Sequence, residues 1–181
     1  MARPYPKQQS DYLRSYFAEL ERLGLVRRNN HIHWSSPALP VRKSLNTNEF
    51  RTTVDYTRVN SLVIPLAGAM PDMETATARV SGTMYYARFD NFKDFRQLAL
   101  HPDCQEQFSI VTEDGVYTPT RVPQGVTDSA IHYQNHMHTV YSPLVYDNLL
   151  VWINDIIVFA QTREEFVDKI RHFYELLRSM A

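Results

Sequence analysis

The chain has 181 residues, which suits one domain or a compact pair of subdomains with enough length to bury a hydrophobic core. Its composition, with 44% hydrophobic and 22% charged residues, excludes a disordered protein. No apolar run approaches the roughly 20 residues of a membrane span, and the single Cys104 excludes an intrachain disulfide, so we expect an intracellular protein that does not enter a membrane.

Positive charge is concentrated in the first third of the chain. Residues 1–58 carry ten Lys and Arg against five Asp and Glu, whereas residues 59–181 carry nine against fifteen. This asymmetry fits a lobe that handles a polyanion beside a lobe that holds a metal, although the charge count by itself favours chance variation. Chance variation of surface charge is the alternative, and the sequence leaves it open.

The first part of the chain predicts a helix followed by a β-hairpin. Ser10 can cap a helix in which Leu13, Phe17, Leu20 and Leu23 recur at helical spacing, and Gly24 can end it. The hairpin consists of Ala38–Lys43 and Phe50–Tyr56 around a turn that contains Asn46 and Asn48.

The rest of the chain alternates short strands with helices. We predict a helix over Asp72–Val80, a strand over Ala87–Asp90, a hairpin of Phe108–Thr112 and Val116–Arg121, a helix over Thr127–Tyr141 and a hairpin over Leu149–Phe159. A last helix begins at a Thr162/Glu165 capping box. Its apolar face consists of Phe166, Ile170, Phe173 and Leu177. This order indicates an α+β fold with helices packed on a mainly antiparallel sheet.

Carboxylates lie at the ends of two predicted strands. Asp90 ends one strand, and Asn154-Asp155 form the turn of the last hairpin. If these strands are neighbours, their carboxylates meet at one edge of the sheet, where they offer the hard oxygen ligands that Mg²⁺ prefers. A pair of such ions is the usual device for phosphoryl or nucleotidyl transfer. Solvated turn carboxylates are the alternative.

Two further candidate sites carry less weight. Asp128, His132 and His136 fall at successive turns of one predicted helix and could face a Zn²⁺ ion, although three ligands from one helix rarely close a tetrahedral site. Cys104 lies in no catalytic motif, and the five glycines form no phosphate-binding loop.

Four sequence blocks occur in an order and spacing that resemble the fingers and palm of a reverse transcriptase, most similar to those of gypsy-type LTR retrotransposons. The blocks are Ser35–Pro37 with Phe50–Asn60, then Ala87–Gln97 (ARFDNFKDFRQ), Arg121–Gln134 (RVPQGVTDSAIHYQ) and Trp152–Asp155 (WIND). The last block stands where the family has Tyr-x-Asp-Asp. The resemblance extends from about Tyr12 to Leu177.

The resemblance implies an α+β polymerase palm, with a mainly antiparallel sheet and packed helices, plus a fingers subdomain. The architecture would be that of a right-hand polymerase without a thumb. Residues 1–181 would form one reverse-transcriptase-like domain, with fingers at about 1–86 and part of 91–120, and palm at about 87–90 and 121–181.

The resemblance also implies a role for individual residues. Asp90 and Asp155 would be catalytic metal ligands for Mg²⁺ or Mn²⁺, with the Asn91 backbone carbonyl as a further ligand. The nucleotide-binding residues would be Arg51, Lys43, Phe95, Gln124 and Gly125, with Phe95 excluding a 2′-hydroxyl, and Trp152 would lie beside the primer end. Phe95 and Trp152 as core aromatics, and Arg51 as a solvated strand residue, remain the alternatives.

Three departures from the family pattern predict very weak or no polymerase activity. Asn154 replaces an aspartate that ligates metal in the family, Asp94 places a carboxylate where the family has a small residue, and the predicted fold includes no thumb.

The expected partners are an RNA or DNA template-primer and dNTPs, with self-association through exposed palm surface. The expected location is the cytoplasm, a retrotransposon particle or the nucleus. The alternative function is a non-catalytic module that binds nucleic acid or protein.

Overall fold

The computed structural model describes residues 4–44, 48–67, 73–91, 94–145 and 147–179. Asn46 of the predicted hairpin turn, Asp72 at the predicted helix start and the side chain of Asp94 lie outside the described residues. The helices are α1 (Lys7–Arg22), α2 (Thr57–Asn60), α3 (Met73–Val80), α4 (Pro102–Gln105), α5 (Ser129–Val140) and α6 (Arg163–Ser179). The strands are β1 (Val26–Arg28), β2 (Ser36–Arg42), β3 (Phe50–Val54), β4 (Tyr85–Asp90), β5 (Ile110–Thr112), β6 (Gly115–Pro119), β7 (Leu149–Trp152) and β8 (Asp155–Ala160).

Within the described ranges the strands form two sheets. One has the order β1-β6-β5-β2-β3, and the other has the order β4-β8-β7. All pairs are antiparallel except β2 and β5, which run parallel. The predicted mainly antiparallel arrangement is therefore confirmed, but as two sheets rather than one.

The chain divides into two compact units. Unit 1 consists of Met1–Pro65 and Phe95–Ser129, and unit 2 consists of Leu66–Asp94 and Ala130–Ala181. The five-stranded sheet belongs to unit 1, and the three-stranded sheet belongs to unit 2. Among the described helices, none combines the length and apolarity that a bilayer crossing demands.

In unit 1, helix α1 covers one face of the five-stranded sheet. Leu13, Phe17 and Leu20 are buried, and the Phe17 ring stacks on Tyr117 of β6 with 4.8 Å between ring centroids. The predicted helix start at Ser10 is wrong, because the backbone carbonyl of Pro6 already accepts from the amides of Gln9 and Ser10. Leu23, predicted on the apolar face, is exposed because it follows the last helical turn.

In unit 2, helix α6 packs on β4 and β8. Phe173 of α6 is buried and lies against Phe89 of β4, with 4.8 Å between ring centroids. The predicted capping box is half formed: the Glu165 amide donates to Thr162 Oγ1 at 3.2 Å, but the Glu165 carboxylate accepts from the amide of Gln161 instead of that of Thr162. This packing fixes the strand that ends at Asp90.

Candidate active site

The two predicted catalytic carboxylates of unit 2 lie on adjacent strands. Strands β4 and β8 pair from Tyr85↔Ala160 to Asp90↔Asp155, so the two aspartates are directly opposite each other at the end of the ladder. Strand β7 pairs with β8 up to Trp152↔Asp155, which leaves Ile153 and Asn154 as a two-residue turn. The register therefore brings Asp90, Asn154 and Asp155 to one edge of the sheet.

Each aspartate of this pair contacts a donor from the same unit. Asn154 Nδ2 donates to Asp90 Oδ1 at 3.2 Å. Arg88 donates to Asp155 Oδ1 from Nε at 2.9 Å and from Nη2 at 2.7 Å. Arg88 lies two residues before Asp90 on β4, so it projects from the same face of the sheet and reaches across to β8. One cation and one amide thus partly offset the charge of two carboxylates.

The donor set fits one divalent cation better than two. Hard cations bind carboxylate and amide oxygens, and Asp90 and Asp155 supply two carboxylates while Asn154 supplies a neutral group. A cation at Asp155 would compete with the Arg88 guanidinium. Among the described residues, no three His, Cys, Asp or Glu side chains form a group that could hold a metal ion, and this includes the Asp128, His132 and His136 set considered above.

Replacing Arg88 with glutamine is expected to tighten Mn²⁺ binding about two- to fivefold, since an exposed ion pair is worth at most about 1 kcal/mol. The Arg88 side chain is 68% exposed and that of Asp155 32%, so solvent already screens their attraction. Titration with Mn²⁺ followed by electron paramagnetic resonance measures the change. Arg171→Gln is the matched control, because Arg171 forms a similar exposed pair with Asp168 of α6. Equal Mn²⁺ affinities for Arg88→Gln and the unaltered chain would contradict the competition.

Helix α5 anchors the backbone on both sides of the carboxylates. Asn91, which follows β4, donates from Nδ2 to the Tyr133 hydroxyl at 2.9 Å, and its amide donates to the Asn154 carbonyl at 2.9 Å. Tyr133 is fully buried. Gln134, the next residue of α5, accepts from the Ile153 amide. Trp152 is half-buried at the end of β7.

In unit 1, Gln124 and Gly125 lie in a turn held by the fingers block of the sequence. Asn60 Nδ2 donates to the Gly125 carbonyl at 3.0 Å, and the Thr127 amide donates to Asn60 Oδ1 at 3.1 Å. Gly125 has a φ of +97°, and a Cβ there would lie 3.7 Å from the Tyr56 ring. Glycine therefore permits this turn, and the side chain of Gln124 is exposed in it.

The other nucleotide-binding candidates of unit 1 have different environments. Arg51 is exposed on β3. Lys43 Nζ forms an ion pair with Glu49 at 3.0 Å, which offsets its charge. Phe95 is 8% exposed, so its ring is buried, which agrees with the core-aromatic alternative. These three residues and Gln124 belong to unit 1, whereas Asp90, Asp155 and Trp152 belong to unit 2.

The sequence patterns assign no role to Arg88 and Gln134, which contact Asp155 and the turn, or to Tyr133, which contacts Asn91. Arg88 could be found only from the β4–β8 register, since its alternation with Asp90 places both side chains on one face. Gln134 and Tyr133 lie inside the predicted helix, and only their burial distinguishes them. The asparagine at 91 was assigned a backbone role, but its side chain is what anchors the strand end to α5.

Comparison with known proteins identifies the family. Residues 41–181 match the family model described as reverse transcriptase (RNA-dependent DNA polymerase). The chain is 25% identical over 175 residues to the retrovirus-related Pol polyprotein from transposon 297 of Drosophila melanogaster, covering 94% of this chain and 16% of that protein. It is 28% identical over 145 residues to a putative enzymatic polyprotein of Cassava vein mosaic virus, covering 79% of this chain and 22% of that protein.

Solved structures show the same fold. The crystal structure of a Prototype Foamy Virus protease-reverse transcriptase mutant covers 99% of this chain with a TM-score of 0.85 at 20% identity, and the chain covers 24% of that protein. The foamy viral protease-reverse transcriptase in complex with RNA/DNA hybrid gives a TM-score of 0.81 at 16% identity, over 98% of this chain and 23% of that one. The α+β fold predicted from the sequence is thereby confirmed, and the chain spans less than a quarter of the length of these relatives. From the match over residues 41–181, we conclude that the chain belongs to the reverse transcriptase family.

Proposed function

We propose that this chain is the fingers and palm of an RNA-directed DNA polymerase of gypsy type, with a catalytic centre that Asn154 impairs. In this proposal unit 1 is the fingers and unit 2 the palm, which moves residues 66–86 to the palm and residues 121–129 to the fingers relative to the bounds that the resemblance implies. The observation that carries the proposal is the register Asp90↔Asp155, because it sets two carboxylates of a reverse transcriptase sequence side by side, next to the asparagine that replaces a third.

The partners in this proposal are a primed RNA or DNA template and a dNTP. A divalent cation, when bound, would supply charge neutralisation for nucleotidyl transfer. Asp90 and Asp155 would hold that cation, and Trp152 would contact the primer end. The exposed guanidinium of Arg51 suits the triphosphate, and Gln124 with Gly125 would contact the nucleotide. Lys43 and Phe95 are weaker candidates, because Lys43 is paired with Glu49 and Phe95 is buried.

The impairment follows from charge. Asp90 and Asp155 contribute two negative charges, and the ion pair with Arg88 partly offsets the charge of Asp155. A carboxylate at 154 would add a further negative charge, but Asn154 offers a neutral amide whose Nδ2 donates to Asp90. Electrostatic contributions at such centres are worth several kcal/mol of transition-state stabilisation. The Arg88 and Asn154 contacts also support the alternative, a reverse transcriptase fold that acts as a non-catalytic nucleic-acid-binding module.

Binding and extension of a primed RNA template by the unaltered chain test the proposed function together. We expect binding by fluorescence anisotropy to weaken as salt rises, with log affinity linear in log salt concentration. We expect extension with Mg²⁺ or Mn²⁺ to be at or below the limit of detection. A salt-insensitive affinity, or none, would contradict the nucleic-acid partner, and ready extension would contradict the impairment.

Two further aspects of the proposal concern assembly and location. Unit 2 exposes several large apolar side chains, namely Met84, Tyr86, Val167 and Tyr174. They support self-association, which light scattering at increasing protein concentration would detect. By analogy with the retroelement polyproteins that it resembles, we place the protein inside the cell.

A further inference from the structure

The turn between β7 and β8 contains a strained residue. Ile153 has a φ of +53°, and it is the single non-glycine residue with a positive φ among the described residues. A β-branched side chain at positive φ crowds the backbone, and such residues cost on the order of 1–3 kcal/mol. A turn of this kind persists only when its surroundings hold it.

The buried side chain of Gln134 holds this turn. Its Oε1 accepts from the Ile153 amide at 2.6 Å, and its Nε2 donates to the Val151 carbonyl at 2.9 Å. The Gln134 side chain is 1% exposed. A carbonyl can only accept and an amide N–H can only donate, so these partners fix which end of the carboxamide faces which group.

His138 completes the hydrogen bonding of this carboxamide. Its Nε2 lies 2.7 Å from Gln134 Nε2 and accepts from it when the imidazole is neutral and carries its proton on Nδ1. Burial lowers the pKa of His138, which favours the neutral form. Both N–H groups and the oxygen of Gln134 are therefore used, as a buried polar side chain requires. A carboxamide bonded at every position cannot rotate without losing several hydrogen bonds at once.

The conformation of Ile153 determines where the neighbouring side chains lie. Ile153 and Asn154 form the whole turn that connects Trp152 to Asp155 along the backbone. Asp155 lies opposite Trp152 of β7 and opposite Asp90 of β4. A change of φ at Ile153 would rotate the Asn154 peptide, whose carbonyl accepts from the Asn91 amide and whose side chain donates to Asp90. The contact at Ile153 therefore acts on residue 154 and the carboxylates without touching them.

From these contacts we infer that Gln134 is a positioning residue: its buried carboxamide holds Ile153 at positive φ and thereby sets where residue 154 and Asp155 lie relative to Asp90. The inference refines the proposed site, but it concerns the geometry of the turn and holds whether or not the chain extends a primer. Its test therefore uses the turn itself and not polymerase activity.

The unaltered chain provides the first measurement. The central amide of a two-residue turn ordinarily exchanges with solvent readily, whereas the amide of Ile153 donates to a buried acceptor. We expect it to exchange with D₂O on the order of tenfold or more slowly than an unprotected amide. Nuclear magnetic resonance should also show the strong intraresidue contact between amide and Hα protons that a positive φ produces. An unprotected Ile153 amide, or a weak intraresidue contact, would overturn the proposal.

Gln134→Met removes the carboxamide, and with it the hydrogen bonds to Ile153, Val151 and His138, at similar side-chain length. Provided that the variant still unfolds in a cooperative thermal transition, we expect the Ile153 amide to lose its protection from hydrogen exchange and the Asn154 and Asp155 amide resonances to shift. Asn135→Ala, an exposed neighbour on the same helix, should leave all three unchanged. Adding Ile153→Gly to Gln134→Met should return the Asn154 and Asp155 resonances towards their original positions, because glycine adopts a positive φ without strain. Unchanged resonances in Gln134→Met, or no return in the double variant, would overturn the proposal.

Discussion

Replacing Asn154 with aspartate is expected to raise primer extension by about a hundredfold, which corresponds to about 3 kcal/mol of transition-state stabilisation. The substitution exchanges the amide that donates to Asp90 for a carboxylate of nearly the same size. It brings three carboxylates to one sheet edge, where a divalent cation gains both charge and a ligand. Without metal, the new carboxylate should repel Asp90 and lower the free energy of unfolding by at most about 1 kcal/mol, because Asp90 is exposed and solvent screens the repulsion.

Two measurements check this expectation separately. Calorimetric titration with Mn²⁺ should show at least about tenfold tighter binding by Asn154→Asp, and saturating Mn²⁺ should raise its melting temperature. Primer extension on an RNA template then measures the rate. Asn135→Asp adds the same charge at an exposed position of α5 and should change neither result. Asp90→Asn together with Asn154→Asp should lose the gain in extension. Unchanged Mn²⁺ affinity in Asn154→Asp would contradict the role assigned to position 154, and tighter binding without extension would contradict the predicted recovery of activity.

Phe173→Ala is expected to cost unit 2 about 3–5 kcal/mol of stability. The Phe173 ring is buried and lies 4.8 Å from the centroid of Phe89 and 5.7 Å from that of Tyr141. Alanine would leave a cavity between α6, β4 and the end of α5. Because typical domains are stable by only about 5–15 kcal/mol, this loss is a large fraction of the total.

Urea unfolding followed by tryptophan fluorescence measures this loss. Trp34 and Trp152 are the two tryptophans of the chain, and they belong to different units. In a Trp34→Phe background, Trp152 reports on unit 2 alone. Val167→Ala, at a 46% exposed position of the same helix, should change stability by no more than about 0.5 kcal/mol. A similarly small loss for Phe173→Ala would show that the aromatic cluster does not stabilise unit 2.

Local patterns in the sequence predicted most of the secondary structure. The alternation of Phe50, Thr52 and Val54, the turn at Glu113-Asp114-Gly115 and the helical spacing of Phe166 and Phe173 depend on near neighbours only, and the structure contains each of these elements. The strand ending at Asp90 and the hairpin around Asn154 were also predicted. Their pairing was given only as a condition, since the sequence does not state which strands are neighbours.

Features that depend on pairing between distant segments could not be predicted. Strand β1 has three residues, of which two are arginines, and it exists because it pairs with β6 about ninety residues later. The parallel pairing of β2 with β5 has no local signal. The contact of Arg88 with Asp155 requires the β4–β8 register, and the role of Gln134 requires its burial against the turn. The metal-ligand and nucleotide-binding roles themselves remain predictions from the resemblance.

The division of the chain into units has a consequence for the order of folding. Unit 1 is built from two stretches of chain, and its last strand, β6, ends at Pro119 in the second of them, so its sheet cannot close until that residue has been synthesised. Strand β4 can pair with a neighbouring strand only later, because its partner β8 begins at Asp155. Contacts between such distant segments form late, since loop closure must be achieved first. During translation, Asp90 would therefore remain without the strand opposite it until β8 had left the ribosome.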